Sequence, residues 1–190
     1  MSPEKSILFI SLYEIVYNPR LIKAADYFES KGWKINILTP ITGATDKEVY
    51  LKFVNSRKWN IVEIDISNKN FRWFYSSALQ FLFQSLKKIT NFRSINKRLL
   101  NKALYLIDEK KIPHSDIVYV NLVDNLMYAN FLKQKWGNTK LVYDSQEYFT
   151  GQYSNSNTYL KDVITQIEED CIHHADYICA TTSIMADVLE

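Results

Sequence analysis

The sequence predicts an α/β domain, a Rossmann-like doubly wound parallel β-sheet with helices on both faces. Three observations carry this. Short runs that are apolar throughout recur along the chain, such as KINILT and YICA, and strands buried on both faces read that way. Segments with apolar residues at i, i+3, i+4 and i+7 separate them. The opening strand, helix and strand form a βαβ unit of about 35 residues.

Each element can be justified in order. Ile7 to Leu12 is the first strand. Asn18 can then accept backbone N–H bonds as an N-cap, Pro19 suits the first helical position, and Gly32 supplies a left-handed stop. Leu21, Ala24, Ala25 and Phe28 share the buried face of that helix. Lys34 to Thr39 is the second strand, and Val49 to Val54 and Ile61 to Ile66 read as further strands around a loop at Ser56 and Arg57. Two helices broken near Asn91 follow, from Phe71 to about Ile107. The first is expected to bury Tyr75, Leu79, Leu82, Phe83, Leu86 and Ile89, the second Leu99, Leu100, Ala103, Leu104 and Ile107. The alternation then resumes. Asp116 to Val120 is a strand, Val123 to Trp136 a helix closed by Gly137, and Lys140 to Tyr143 a strand. A helix from about Asn157 to His174 buries Leu160, Val163, Ile164, Ile167 and Cys171, and Tyr177 to Ala180 is the last strand. The final TTSIMADVLE reads as a cap and a helix start, so residues 1–190 are expected to be one domain whose partner domain lies beyond them.

Composition narrows the classes. The chain has 190 residues, 47% of them hydrophobic and 23% charged, ordinary for one folded domain. A net charge of +2, with no RNA-binding or zinc-finger signature, argues against nucleic acid. Cys171 and Cys179 form no disulfide framework, and Ile7 to Leu12 is too short for a signal segment or a membrane span. A cytoplasmic, reducing environment is the expectation.

In an open α/β sheet the ligand crevice lies beyond the carboxyl ends of the strands. That rule selects Tyr13, Glu14, Asn18 and Arg20 after the first strand and Asn121, Asp124 and Asn125 after DIVYV. It adds Asp144, Gln146 and Glu147 after KLVY, and Thr181, Thr182 and Ser183 after YICA. Asp144 and Asp124 have a second reading as caps or turn acceptors, and the last three read more simply as caps. Arg20 sits in a helical first turn, where the dipole disfavours a cation, so an anionic ligand or a carboxylate such as Glu14 or Glu147 should face it. Gly32, Gly43, Gly137 and Gly151 cannot compose GxGxxG or GxxxxGK[ST], which removes both usual phosphate cradles. His173 and His174 are adjacent and should diverge on a helix, so no metal site is expected. No GxSxG elbow is present for serine hydrolysis.

These residues resemble a known family, the N-terminal domain of the GT-B, family-4-like glycosyltransferases. NPRLIKAADYFESKGWKINIL is similar to the family's opening D-x-R…G pattern, with Asn18 at the usual Asp, Arg20 at the Arg and Gly32 at the Gly. DIVYVNLVDNLMYA matches at Asp116, Asn121 and Asp124, KLVYDSQEYF at Tyr143, Asp144, Glu147 and Phe149, and IEEDCIHHADYICATTSIMADVL at Glu168, Ala175 and Asp176. The resemblance spans nearly the whole chain and is weakest from Gly43 to Ile112. It implies sugar transfer from a nucleotide-sugar donor to a saccharide or lipid-linked acceptor, with retention, in cell-surface polysaccharide or glycolipid synthesis. It further implies an acceptor site on this domain, a donor site on a C-terminal domain, no bound cofactor or metal, and no activity for this chain alone. Catalytic candidates are Gln146, Glu147 and Asp144; Tyr13, Glu14, Asn18, Arg20, Asn121 and Asp124 are substrate-binding candidates. Two positions depart from the pattern, with Gln146 at the family's His and Leu122 at its Asp. A glutamine keeps hydrogen bonding but carries no proton at neutral pH, which leaves altered activity or a non-catalytic binding module of the same fold as alternatives.

The middle of the chain is basic and aromatic. Lys69 to Ile107 holds eight Lys or Arg and no Asp or Glu. On a helical wheel Phe74, Phe81 and Lys88 flank the expected core face, and Trp73 points away with Lys87. Together with Arg93 these residues predict contact with an anionic membrane surface, and so a peripheral position at the inner face of the membrane.

Overall fold

The computed structural model describes residues 5–67, 71–89, 103, 106–145 and 158–182. Six parallel strands form one sheet: β1 (Ser6–Ile10), β2 (Lys34–Ile41), β3 (Asn60–Asp65), β4 (Ile117–Val120), β5 (Lys140–Ser145) and β6 (Tyr177–Ala180). Their order is β3-β2-β1-β4-β5-β6, so the chain runs outward from β1 in one direction and then restarts beside it at β4. The expected Rossmann-like fold is the observed one.

Alternation along the strands divides the core in two. Ile7, Phe9, Ile35 and Ile37 face helices α1 (Pro19–Ser30) and α2 (Lys47–Asn55), where Leu21, Ala25, Tyr50 and Trp59 complete one cluster. Leu8, Ile10, Leu38, Val118, Leu141 and Tyr143 face the other way. They pack against Leu126, Ala129 and Leu132 of α4 (Val123–Trp136) and Val163, Ile164 and Ile167 of α5 (Thr158–Cys171). Carboxylates pin the amino ends of the strands. Asp116 accepts from the Ser6 backbone N–H and hydroxyl, both at 2.8 Å. Asp176 accepts from Lys133 at 2.7 Å, Lys140 at 2.9 Å and the Leu141 N–H at 2.8 Å. Burial alone would raise the Asp176 carboxyl, but these donors hold it far below its ordinary value.

Several expectations are corrected. Val49 to Val54 is the body of α2 and not a strand. Asp46 caps it by accepting from the Glu48 and Val49 N–H groups, Tyr50, Phe53 and Val54 turn one face to the core, and parallel β2 and β3 need such a crossover between them. β5 runs on to Ser145, so Asp144 is a strand residue opposite Cys179. β6 is an edge strand with Tyr177 and Ile178 exposed. A 3-10 turn, Ile172–His174, follows α5 and brings the His173 and His174 rings to 4.0 Å between centroids, where divergence was expected. Helix α3 (Phe71–Ile89) exists as expected, but Tyr75, Leu82 and Leu86 of its expected core face are exposed, whereas Ser76 is fully buried. Of the second expected helix, Leu99, Leu100 and Leu104 lie outside the described residues, while Ala103 is buried and Ile107 packs against the α4–α5 core.

Candidate functional site

The order of strands reverses between β1 and β4, and a cleft of about 540 Å³ opens at their carboxyl ends. Tyr13, Glu14, Tyr17, Asn18, Arg20, Thr42 and Asn121 line it, over an apolar floor that includes Leu12, Ile66 and Leu122. The loop after β1 supplies most of these and is held at several points. The Ser11 hydroxyl donates to the Tyr13 carbonyl at 2.7 Å, and Thr39 accepts from the Ile15 N–H at 2.9 Å while donating to the same carbonyl at 3.1 Å.

Asn18 caps α1 as the sequence predicts, its Oδ1 accepting from the Leu21 N–H at 3.3 Å. The same oxygen accepts from Asn121 Nδ2 at 2.9 Å, and Asn18 Nδ2 donates back to Asn121 Oδ1 at 3.4 Å. A reciprocal amide pair therefore ties the loop after β1 to the end of β4, across the switch point. Glu14 is buried and engaged. Its carboxylate accepts from the Thr42 N–H at 2.7 Å and from the hydroxyls of Thr42 and Thr45. Burial alone would raise this carboxyl; the bonds from Thr42 and Thr45 and the backbone at Ala44 hold it below its ordinary value.

Arg20 has a carboxylate partner other than Glu14, and Glu147 lies outside the described residues. Its guanidinium grips Asp144 bidentately, Nε to Oδ2 at 2.7 Å and Nη2 to Oδ1 at 2.5 Å. The Tyr119 hydroxyl also donates to Asp144 Oδ2 at 2.7 Å. The Asp144 bond raises the Arg20 pKa, and burial followed by the Asp144 bond raises that of Tyr119. Asp144, 1% exposed, thus serves as the counter-ion of Arg20 and is absent from the cleft lining. The Arg20 side chain is 43% exposed and reaches the cleft.

The remaining candidates divide. Asn125 is buried and donates to the Ile10 carbonyl at 3.1 Å. Asp124 is buried in the first turn of α4, where the dipole favours an acid, and is not part of the cleft lining. Thr181 and Thr182 form an exposed bend beyond β6. Gln146, Glu147 and Ser183 lie outside the described residues. Among the described residues no group of His, Cys, Asp or Glu is placed to hold a metal ion. The sequence reading missed Tyr17, Thr42 and Tyr119. Tyr119 gave a signal, since a tyrosine in an apolar strand needs a hydroxyl partner. Thr42 follows β2, the carboxyl end omitted from the candidates.

No family model matches the chain, and no curated protein matches it. Among solved structures it is similar to a candidate UDP-N-acetylglucosamine 2-epimerase from Listeria monocytogenes, at 12% identity and a TM-score of 0.50. That match covers 98% of this chain and 42% of the other, so this chain spans less than half the length of that protein. A candidate short-chain alcohol dehydrogenase from Burkholderia multivorans also aligns, at 12% identity over 98% of this chain and 87% of that one, but its TM-score of 0.39 carries no argument. The first likeness is one of fold, a Rossmann-like α/β domain.

Proposed function

We propose that this chain is the acceptor-side half of a GT-B glycosyltransferase, which moves a sugar from a nucleotide-sugar donor to a saccharide or lipid-linked acceptor. The cleft at the switch point carries this reading. It offers the rings of Tyr13 and Tyr17, 55% and 63% exposed, beside the amides of Asn18 and Asn121 and the guanidinium of Arg20. Aromatic faces suit the apolar faces of sugar rings, and amides suit hydroxyls that both donate and accept. The chain has no glycine-rich phosphate cradle, which fits a division of labour in which a C-terminal domain holds the donor. In the reaction implied by the family resemblance, an acceptor hydroxyl oxygen bonds the anomeric carbon as the nucleoside diphosphate departs. The donor's own phosphate takes the proton, so neither metal nor cofactor enters. Gln146 and Glu147 are the candidates for contact with the reacting groups. The setting is the cytoplasmic side of the membrane, in cell-surface polysaccharide or glycolipid assembly.

One observation favours a second reading, a non-catalytic glycan-binding module. Glu14 is the only carboxylate among the described residues that line the cleft, and its oxygens already accept hydrogen bonds from Thr42 and Thr45.

Ligand-observed NMR with a panel of saccharides and nucleotide sugars, UDP-N-acetylglucosamine included, tests the proposal, together with a transfer assay. The chain should broaden saccharide signals, lose that effect on Tyr17→Ala, and transfer nothing alone. Glycosyl transfer by this chain alone, or sugar-nucleotide binding tighter than any saccharide, would refute the division of labour. Saccharide binding without turnover when a donor domain is attached would favour the second reading.

A further inference from the structure

Helix α3 is turned inside out for a helix on a globular domain. Such a helix normally lays its apolar stripe on the core and shows polar residues to water. Here Phe71, Phe74 and Phe81 are 81%, 68% and 72% exposed, and Tyr75, Leu82 and Leu86 are exposed with them. At 3.6 residues per turn these six positions span an arc of about 140°. On the opposite side Ser76 is fully buried and Phe83 packs against the α4–α5 core. The rings of Phe71 and Tyr75 stack at 6.4 Å, which gives the exposed stripe a continuous aromatic end. Apolar surface of this extent marks a binding face.

We propose that the outward face of α3 docks on an anionic lipid bilayer. Charge selects this occupant. The helix carries Arg72, Lys87 and Lys88 and no Asp or Glu, and Lys69 to Ile107 as a whole is eight basic residues with no acidic one. A second copy of the chain would set like charges against each other, which costs free energy at an interface. An anionic headgroup layer attracts so basic a segment, while phenylalanine, tyrosine and leucine enter the acyl boundary. No described helix is long and apolar enough to cross a membrane, so α3 lies in the plane of the surface. Its first residue follows Ile66 of the cleft floor by five positions, and a chain of that length reaches at most about 17 Å. Docking through α3 therefore holds the cleft close to the bilayer, where a lipid-linked acceptor would present its sugar.

Co-sedimentation of the full chain with vesicles tests this. Phosphatidylcholine vesicles with about 30 mol% phosphatidylglycerol should pellet the chain at about 50 mM salt, and less of it at about 500 mM. Pure phosphatidylcholine should pellet little. Phe74→Glu with Phe81→Glu should lower the partition coefficient about tenfold or more without changing the melting temperature. Phe74→Ser with Phe81→Ser gives the same reading if the glutamates disturb folding. Absence of binding to the anionic vesicles at low salt would overturn the proposal, as would binding unaltered by either pair. A dimer in lipid-free solution that the same substitutions disperse, without vesicle binding, would assign the face to a second copy instead. Vesicle binding requires no sugar transfer, so its outcome stands apart from the fate of the transferase reading.

Discussion

Replacing Arg20 with alanine leaves the Asp144 carboxylate, 1% exposed, with the Tyr119 hydroxyl in place of three donors. Two charge-assisted hydrogen bonds are lost, each ordinarily contributing about 1.5–3 kcal/mol. The Arg20 side chain is 43% exposed, and solvent screening at that edge discounts the gain. Truncation also admits water to the carboxylate, which offsets part of the uncompensated charge. A net loss of about 3 kcal/mol follows for Arg20→Ala, and about 2 kcal/mol for Asp144→Asn, which keeps its shape and one acceptor. The double variant should lose about 3 kcal/mol, for a coupling of about 2 kcal/mol. Urea unfolding at neutral pH measures all four corners of the cycle, and Arg20→Ala should melt about 6–12 °C lower. A coupling below about 0.5 kcal/mol would mean that the pair contributes no more than an exposed surface ion pair, and the reasoning would fail.

Two further predictions concern the scaffold. Gly32 ends α1 with φ +80° and has open space where a Cβ would stand, so Gly32→Ala should cost only backbone strain, about 1 kcal/mol by urea unfolding. Asp176→Asn should lose about 2–3 kcal/mol at pH 7, because Lys133, Lys140 and the Leu141 N–H all donate to that carboxylate. The carboxyl is held below its unfolded value of 3.8, so its stabilisation is complete above that pH and lost as pH falls below it. The gap between wild type and variant, followed by unfolding from pH 7 to pH 3, should narrow only below about pH 4; a gap that is constant with pH would refute the linkage.

What was legible in the sequence depended on how local its cause is. Asn18, Pro19 and Gly32 specify α1 from within fifteen residues, and each does what its chemistry suggests. The pattern of Val49 to Val54 was ambiguous, since aromatic and β-branched residues favour strands in isolation. The parallel pairing of β2 with β3 decides for a helix there, and that pairing is not local. The partner of Arg20 stands 124 positions away and depends on the β4–β5 register, which aligns Val120 with Tyr143 and so brings Asp144 just beyond that pair. Periodicity gave α3 its direction of amphipathicity but could not say which side meets the core. Two of the residues that carry the family resemblance, Asp116 and Asp176, pin the amino ends of strands, far from the cleft. Part of that resemblance therefore reflects how neighbouring strands are held together and not what the domain binds.

The disposition of charge around the cleft bears on what it can hold. Asp144 is engaged by Arg20 and Tyr119, and Glu14 by the loop after β2. An acid committed in this way stabilises the loop and adds little attraction for a cationic ligand. Among the described residues, the groups that face the opening include two tyrosine rings, two amides and the exposed part of a guanidinium paired with Asp144. Such a surface favours a neutral ligand rich in hydroxyls, with at most one anionic group beside Arg20. Among the described residues, phosphates would find one shared cation and no run of backbone N–H donors from a glycine turn. A neutral saccharide therefore suits this cleft better than a nucleoside diphosphate does.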